Sequence, residues 1–216
     1  MEKLTPNIYR LNKILYIGNL PMAYIPEAIN MKNINEVVNM VASTQYCPSL
    51  DINEVADELE IDYEQEQFPG MVYRVIKPKV CILLFRSGKA VATGAKSEKD
   101  IETAFKELHT VLKKKGFLNN DFDPKGITLQ NIVVTHDYGE GLDLNTLVYA
   151  LPFDKCEYEP EQFPGLIFRL DSPSAVCLIF SSGKCVITGC SSIAETEEAA
   201  EMLNDELNDA KSYERD

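Results

Sequence analysis

The first half of the chain contains short apolar runs that are separated by turn-forming residues. The runs are residues 39–44, 71–76, 80–86 and 89–94. Lys77-Pro78-Lys79 and Ser87-Gly88 lie between the last three runs, and runs divided in this way indicate successive antiparallel hairpins. The pattern therefore predicts one strand followed later by a three-stranded meander.

Two stretches with helical character accompany these strands. Residues 51–59 begin at Asp51, a residue type that caps helix N-termini well. Residues 97–115 begin at Ser97 and carry apolar residues at helical spacing. These apolar residues are Ile101, Ala104, Phe105, Leu108 and Leu112. The order of elements predicts an α+β fold, with the strands in a meander and the helices on one face.

The second half of the chain repeats the first. Residues 66–94 and 161–189 align at an offset of 95 without a gap, and 15 of these 29 positions are identical. Each repeat spans roughly 80 to 90 residues, which is too long for a solenoid unit and fits two similar halves of one domain. We divide the chain into an N-terminal extension (1–35), a first repeat (36–122) and a second repeat with an acidic tail (123–216).

The strands of the meander are apolar on both faces. In residues 80–85, Ile82 and Leu84 fall on one face, while Cys81, Leu83 and Phe85 fall on the other. An antiparallel sheet covered on one side usually has a polar outer face. The pattern indicates either a sheet buried on both faces or an apolar face kept open for a partner, and it does not decide between them.

Charge is distributed unevenly along an acidic chain with a net charge of −13. Residues 1–35 hold 4 basic and 2 acidic residues, residues 36–122 hold 11 and 14, and residues 123–216 hold 6 and 18. Residues 68–97 carry six basic residues and no acidic one. A local basic surface is thus expected on an acidic protein, and its distribution matters more for nucleic-acid binding than the total does.

Residue types that carry chemistry are sparse. The six cysteines form no CxxC pair, which argues against zinc and fits a reducing, intracellular protein. The two histidines, His109 and His136, share no repeated motif with a cysteine or serine, so an enzyme is not expected. The apolar stretch 14–29 is interrupted by Pro21, Pro26 and Glu27 and is too short to span a membrane.

The repeated block resembles the TATA-box-binding protein family. The resemblance rests on YEPEQFPGLI at 158–167, LIFSSGK at 178–184 and TG at 188–189, with a matching block in the first repeat. The EQFPG form in both repeats is similar to archaeal members. The resemblance covers residues from about 36 to about 209. It implies a saddle: a curved antiparallel sheet of ten strands whose concave face binds DNA, with four helices on the convex face.

The resemblance also assigns roles to individual residues. The family is itself a standard example of minor-groove binding with apolar side chains wedged between bases. The wedges correspond to Phe68, Phe85, Phe163 and Phe180. The central groove-reading amides correspond to Asn39 and Asn131, and the apolar lining to Val41, Leu83, Val91, Thr93, Val133, Leu178, Val186 and Thr188. The phosphate contacts correspond to Arg74, Ser87, Lys89, Arg169, Ser182 and Lys184.

Partners follow from the same resemblance. It implies double-stranded promoter DNA carrying a TATA box, transcription factor B and the RNA polymerase pre-initiation complex, and it allows a weak homodimer; it implies no membrane, metal, cofactor or catalytic residue. Transcription factor B would dock on the acidic loop at residues 158–164, here called the second stirrup, through Glu159 and Glu161. The implied location is the archaeal cytoplasm at the nucleoid, or the nucleus for a eukaryotic source.

One alternative function is a paralogue with the same fold that acts mainly as a protein-interaction or regulatory module. The strongly acidic second repeat favours this alternative, because phosphates repel acidic surfaces. The presence of all four wedge phenylalanines argues against it.

Overall fold

The computed structural model of the protein describes the backbone of residues 8–11, 14–17, 20–24 and 35–212, and the side chains of residues 35–211. Three short strands, β1 (Ile8–Leu11), β2 (Ile14–Ile17) and β3 (Leu20–Tyr24), pair in sequence order into an antiparallel sheet of their own. The rest of the predicted N-terminal extension, apart from Asn35, lies outside the described residues.

A single sheet of nine antiparallel strands joins the two repeats. Its strands are β4 (Glu36–Gln45), β5 (Gly70–Val75), β6 (Val80–Phe85), β7 (Lys89–Ala95), β8 (Thr128–Asp137), β9 (Cys156–Glu157), β10 (Leu166–Asp171), β11 (Ser174–Ile179) and β12 (Lys184–Cys190). They lie in the order β5-β6-β7-β4-β8-β12-β11-β10-β9. The first strands of the two repeats, β4 and β8, therefore pair at the centre, where Met40 lies opposite Ile132.

Four α-helices accompany the sheet within the described residues, as predicted. They are α1 (Ile52–Glu58), α2 (Glu98–Lys114), α3 (Leu144–Ala150) and α4 (Ile193–Ser212). The predicted caps are confirmed, since Asp51 accepts a hydrogen bond from the backbone N–H of Asn53 at 3.1 Å and Ser97 accepts one from Asp100 at 3.1 Å. Among the described residues, no helix is both long and apolar enough to cross a membrane.

The hydrophobic core lies between the sheet and the helices. In the first repeat, Ile82 and Leu84 on β6 are fully buried with Phe105 and Leu108 of α2. In the second repeat, Ile187 on β12 is buried in the same core with residues of α4. One set of alternating apolar residues is thus buried between the sheet and the helices. The other set lies on the opposite face of the sheet.

The sheet has nine strands rather than the ten that the resemblance implies, because the repeats differ at one edge. In the second repeat, β9 pairs with β10. The first-repeat counterparts of β9, Ile61 and Asp62, lie outside any strand. The backbone N–H of Ile61 donates to Ala56 of α1 at 2.9 Å, after Glu60 in the left-handed conformation. This helix-terminating bond occupies a donor that strand pairing requires.

His109 lies in an aromatic pocket on the inner side of α2. Its side chain is 3% exposed, its ring lies 5.4 Å from that of Tyr46 and 5.6 Å from that of Phe122, and its Nε2 has no hydrogen-bond partner among the described residues. Burial lowers the pKa of His109 and Lys113 lowers it further, against an opposing effect of Asp121. The folded protein therefore disfavours the charged imidazole.

We expect the protein to lose stability as the pH falls from 7 to 5. The unfolded chain takes up a proton on histidine near pH 6.5, while the folded chain resists it at His109 because the pKa there is lowered, so protonation favours unfolding. His109→Phe should flatten this part of the pH dependence. Urea denaturation of both proteins at pH 7 and pH 5 measures it, and an unchanged pH dependence in the variant would contradict the assignment.

Candidate nucleic-acid interface

A second apolar surface covers the face of the sheet opposite the helices; we call it the concave face. In the second repeat it is a cluster of Val133, Val176, Leu178 and Val186, against which Val38, Phe163, Ile167 and Phe180 pack. In the first repeat the corresponding face carries half-buried Cys81, Leu83, Val91 and Thr93. The described members of this surface come from strands and turns, so the helices do not cover it.

Two asparagines near the centre of the sheet make matching contacts. Asn39 on β4 accepts a hydrogen bond on Oδ1 from the backbone N–H of Gly94 at 2.7 Å. Asn131 on β8 accepts one from Gly189 at 2.8 Å, and its Nδ2 lies 3.0 Å from the Thr188 Oγ1. Because the oxygen of each amide accepts from a backbone N–H, the amide orientation is fixed and its nitrogen is held as a donor at the same place in each repeat.

The TG pair of each repeat explains how this contact arises. Gly94 and Gly189 have φ of 94° and 107°, and the strand register shifts beside each of them. A β-bulge of this kind redirects a backbone N–H out of the regular ladder, and glycine adopts positive φ without strain. The bulge presents the N–H that each asparagine binds.

The four predicted wedge phenylalanines form two pairs, one in each repeat. The ring centroids of Phe68 and Phe85 lie 6.2 Å apart, and those of Phe163 and Phe180 lie 5.8 Å apart, both pairs edge to face. Phe68 is 41% exposed, a large value for an aromatic side chain. Each pair therefore places apolar rings at the rim of the concave face.

Each ring pair rests on a glycine. A Cβ atom on Gly70 would lie 2.9 Å from ring carbons of both Phe68 and Phe85. A Cβ atom on Gly165 would lie 2.8 Å from Phe163 and 3.1 Å from Phe180. The repeated FPG motif thus has a steric basis, which sequence reasoning did not identify although both glycines were visible in the repeat.

The polar residues predicted to contact phosphate lie at the edges of this face and differ between repeats. Arg74, Ser87 and Lys89 are exposed in the first repeat. In the second repeat Ser182 is exposed, Lys184 is half-buried, and Arg169 lies 3.7 Å from Glu157. All six basic residues of 68–97 are exposed, so the first repeat presents the more basic half.

Both stirrups have the same backbone turn. In the second stirrup the Glu159 carbonyl accepts from Gln162 and Phe163 at 2.9 Å each. In the first, residues 63–69, the Glu64 carbonyl accepts from Gln67 at 3.0 Å and Phe68 at 3.2 Å. Glu159 and Glu161 are exposed, and the Glu159 carboxylate accepts from the Gln162 side chain. An exposed acidic surface therefore flanks the second ring pair.

The described residues contain no metal-binding cluster, and both ring nitrogens of His136 have side-chain partners. Within residues 35–211, no group of three or more His, Cys, Asp or Glu side chains could hold a metal ion. His136 lies between two amides, with Nδ1 2.8 Å from Asn35 Oδ1 and Nε2 2.8 Å from Asn204 Oδ1. Its ring nitrogens therefore have a structural role.

Comparison with known proteins gives a consistent result. A sequence model of the family "Transcription factor TFIID (or TATA-binding protein, TBP)" matches residues 34–115 and 126–210. TATA-box-binding protein 1 of Haloferax volcanii is 46% identical over 179 residues, 82% of this chain and 94% of that protein. The TATA-box-binding protein of Methanothrix thermoacetophila is 43% identical over 82% of this chain and 97% of its own length. The solved structure of Methanococcus jannaschii TBP superposes with a TM-score of 0.71 at 44% identity, over 82% of this chain and 99% of that one.

We expect Gly165→Ala to separate the rings of Phe163 and Phe180, because the new methyl group cannot fit beneath them. Loss of the nuclear Overhauser contacts between the two rings measures the change. Gly126→Ala is a matched control, since its Cβ would lie 3.6 Å from the Thr44 hydroxyl, an ordinary contact. Ring contacts that persist in Gly165→Ala would show that the glycine does not set the ring positions.

Proposed function

The chain belongs to the TATA-binding protein family, and on that premise we propose that it acts as a general transcription initiation factor that binds the minor groove of A·T-rich promoter DNA. The observation that carries the proposal is the pair of equivalent phenylalanine clusters at the rim of an apolar sheet face that no described helix covers. The exposed Phe68 and the half-buried Leu83 and Val91 of the first repeat form apolar surface of the kind that monomeric proteins rarely keep without a partner.

The centre of the concave face suits an A·T-rich minor groove. A·T and T·A pairs present only acceptors there, whereas guanine adds an amino donor. Asn39 and Asn131, oriented by Gly94 and Gly189, would supply amide donors to those acceptors. Small apolar side chains lie opposite the asparagines, Val133 opposite Asn39 and Val41 opposite Asn131, and would leave the guanine amino group without an acceptor.

The ring pairs suit a kinked duplex. Apolar wedges inserted between base steps replace part of the stacking that a kink removes, a loss of a few kcal/mol per step. Phe68 with Phe85 and Phe163 with Phe180 would insert at the two ends of the site. Arg74 and Lys89 in the first repeat, and Arg169 and Lys184 in the second, would contact the backbone phosphates and fix the register of the protein.

The proposal predicts that the protein retains A·T-rich promoter DNA over a G·C-rich control in a gel-shift titration. Phe163→Ala and Phe180→Ala should each weaken binding by about tenfold or more, since the lost stacking exceeds about 1.4 kcal/mol, and should reduce bending. Phe153→Ala is the matched control, because Phe153 is in the same repeat, is 91% exposed and is not a member of the concave face.

Wild-type bending by the Phe163 and Phe180 variants would remove the wedge assignment. Failure of the unmodified protein to retain A·T-rich DNA would instead favour the protein-interaction alternative.

We further propose that transcription factor B binds the second stirrup and thereby sets the direction of the complex and the recruitment of RNA polymerase. A saddle with two similar halves has little reason to prefer one orientation on a nearly symmetric A·T-rich site. A partner that contacts one half resolves the ambiguity. The exposed carboxylates Glu159 and Glu161 give the second stirrup a charge that a basic partner surface can recognise.

Glu159→Arg/Glu161→Arg should therefore bind DNA nearly as well as the unmodified protein but fail to recruit transcription factor B, because charge complementarity is reversed. A supershift of the DNA complex with added factor measures recruitment. The matched control is Glu64→Arg/Glu66→Arg, which makes the same change in the first stirrup. A normal supershift by the second-stirrup variant would exclude that loop as the docking site.

A further inference from the structure

Three pairs of identical residues differ in burial between the two halves of the concave face, whereas the central pair Val41 and Val133 is buried in both. Leu178, Val186 and Thr188 in the second repeat are 1%, 4% and 0% exposed. Their first-repeat counterparts, 95 residues earlier, are Leu83, Val91 and Thr93, and all three are only half-buried. Leu83 pairs with Val91 as Leu178 pairs with Val186. The strand register is the same in both halves and therefore does not account for the difference.

No described helix packs on the second-repeat half of the concave face. The cluster around Leu178 contains strand residues and the rings of Phe163 and Phe180, and α4 packs on the other side of the sheet. The neighbouring Thr135 on β8 is also 0% exposed. These side chains are thus buried although no described helix lies over them.

The N-terminal extension ends at the edge of that half of the sheet. Asn35 Oδ1 lies 2.8 Å from Nδ1 of His136 on the helix side of β8, where His136 Nε2 lies 2.8 Å from Asn204 of α4. Glu36 is paired with Thr135 on the same strand, and Val38 packs into the buried cluster. The continuous described part of the chain therefore begins at Asn35, beside the second-repeat half of the sheet and not beside the first-repeat half.

The composition of the extension suits that position. Strands β1, β2 and β3 read IYRL, ILYI and LPMAY, which are mostly apolar or aromatic residues. Three short strands need an apolar surface to pack on, since a small sheet alone is only marginally stable. Residues 1–35 carry 4 basic and 2 acidic residues, opposite in sign to the 6 basic and 18 acidic residues of the second repeat.

We propose that the N-terminal extension, residues 1–34, docks on the second-repeat half of the concave face and competes with DNA for it. The docking itself is independent of the proposed function, and its consequence for DNA rests on that function. The first-repeat half keeps only half-buried side chains at Leu83, Val91 and Thr93, and the same repeat carries the six exposed basic residues of 68–97. DNA would contact this half first and would displace the extension to complete the complex.

Thiol labelling tests the docking without DNA. Val186→Cys and Val91→Cys place nearly isosteric thiols at equivalent positions, in the full chain and in a chain that begins at Asn35. The shortened chain is expected to fold, because Methanococcus jannaschii TBP has 99% of its chain within the match and adopts the same fold. Peptide mapping by mass spectrometry separates the new thiols from the six native cysteines.

In the full chain, the thiol at position 186 should react at least about tenfold more slowly than the thiol at position 91, the factor that corresponds to about 1.4 kcal/mol of docking free energy. In the shortened chain the two rates should agree. Equal rates in the full chain, or a difference that survives removal of residues 1–34, would overturn the proposal. Thr188→Cys and Thr93→Cys provide a second pair if a valine variant fails to fold.

Gel-shift titration of A·T-rich DNA tests the competition. The shortened chain should bind about tenfold more tightly than the full chain, if docking protects the face by the same factor. An affinity that does not change on removal of the extension would overturn the competition. If neither chain binds A·T-rich DNA, the proposed function fails, while the labelling experiment still decides whether the extension docks.

Discussion

Antiparallel pairing of β4 with β8 is the interaction on which the rest of the structure depends. It joins two repeats of similar sequence into one sheet, so that their apolar faces become continuous. It also places Asn39 and Asn131 on adjacent central strands, with Asn39 opposite Val133 and Val41 opposite Asn131. The helices cover only one face, so the same pairing that builds the core also produces a second apolar surface larger than either repeat could form alone.

Glycines determine the shape of that second surface. Gly94 and Gly189 form the bulges that hold the asparagine amides, and Gly70 and Gly165 leave room for the phenylalanine rings. A regular strand would direct its N–H groups into the ladder, and a larger residue would move the rings. The repeated motifs around these residues therefore encode backbone shape as well as side-chain chemistry.

The two repeats have the same fold but different surfaces. The first presents six exposed basic residues and half-buried apolar side chains on the concave face, while the second is acidic and its equivalent side chains are buried. Arg169 of the second repeat is close to Glu157, whereas its counterpart Arg74 is exposed. A symmetric fold with an asymmetric surface gives each half a different local charge.

The sequence by itself determined the repeat, the hairpins, and the helices with their caps at Asp51 and Ser97, because each depends on residues close together in the chain. The tertiary structure decided which apolar phase of β6 meets α2, how Asn131 binds Gly189, and why Ile61 lies outside a strand. It also decided that Leu178 is buried while the identical Leu83 is half-exposed. Burial depends on which residues from elsewhere in the chain pack against a side chain, and the local sequence does not specify those contacts.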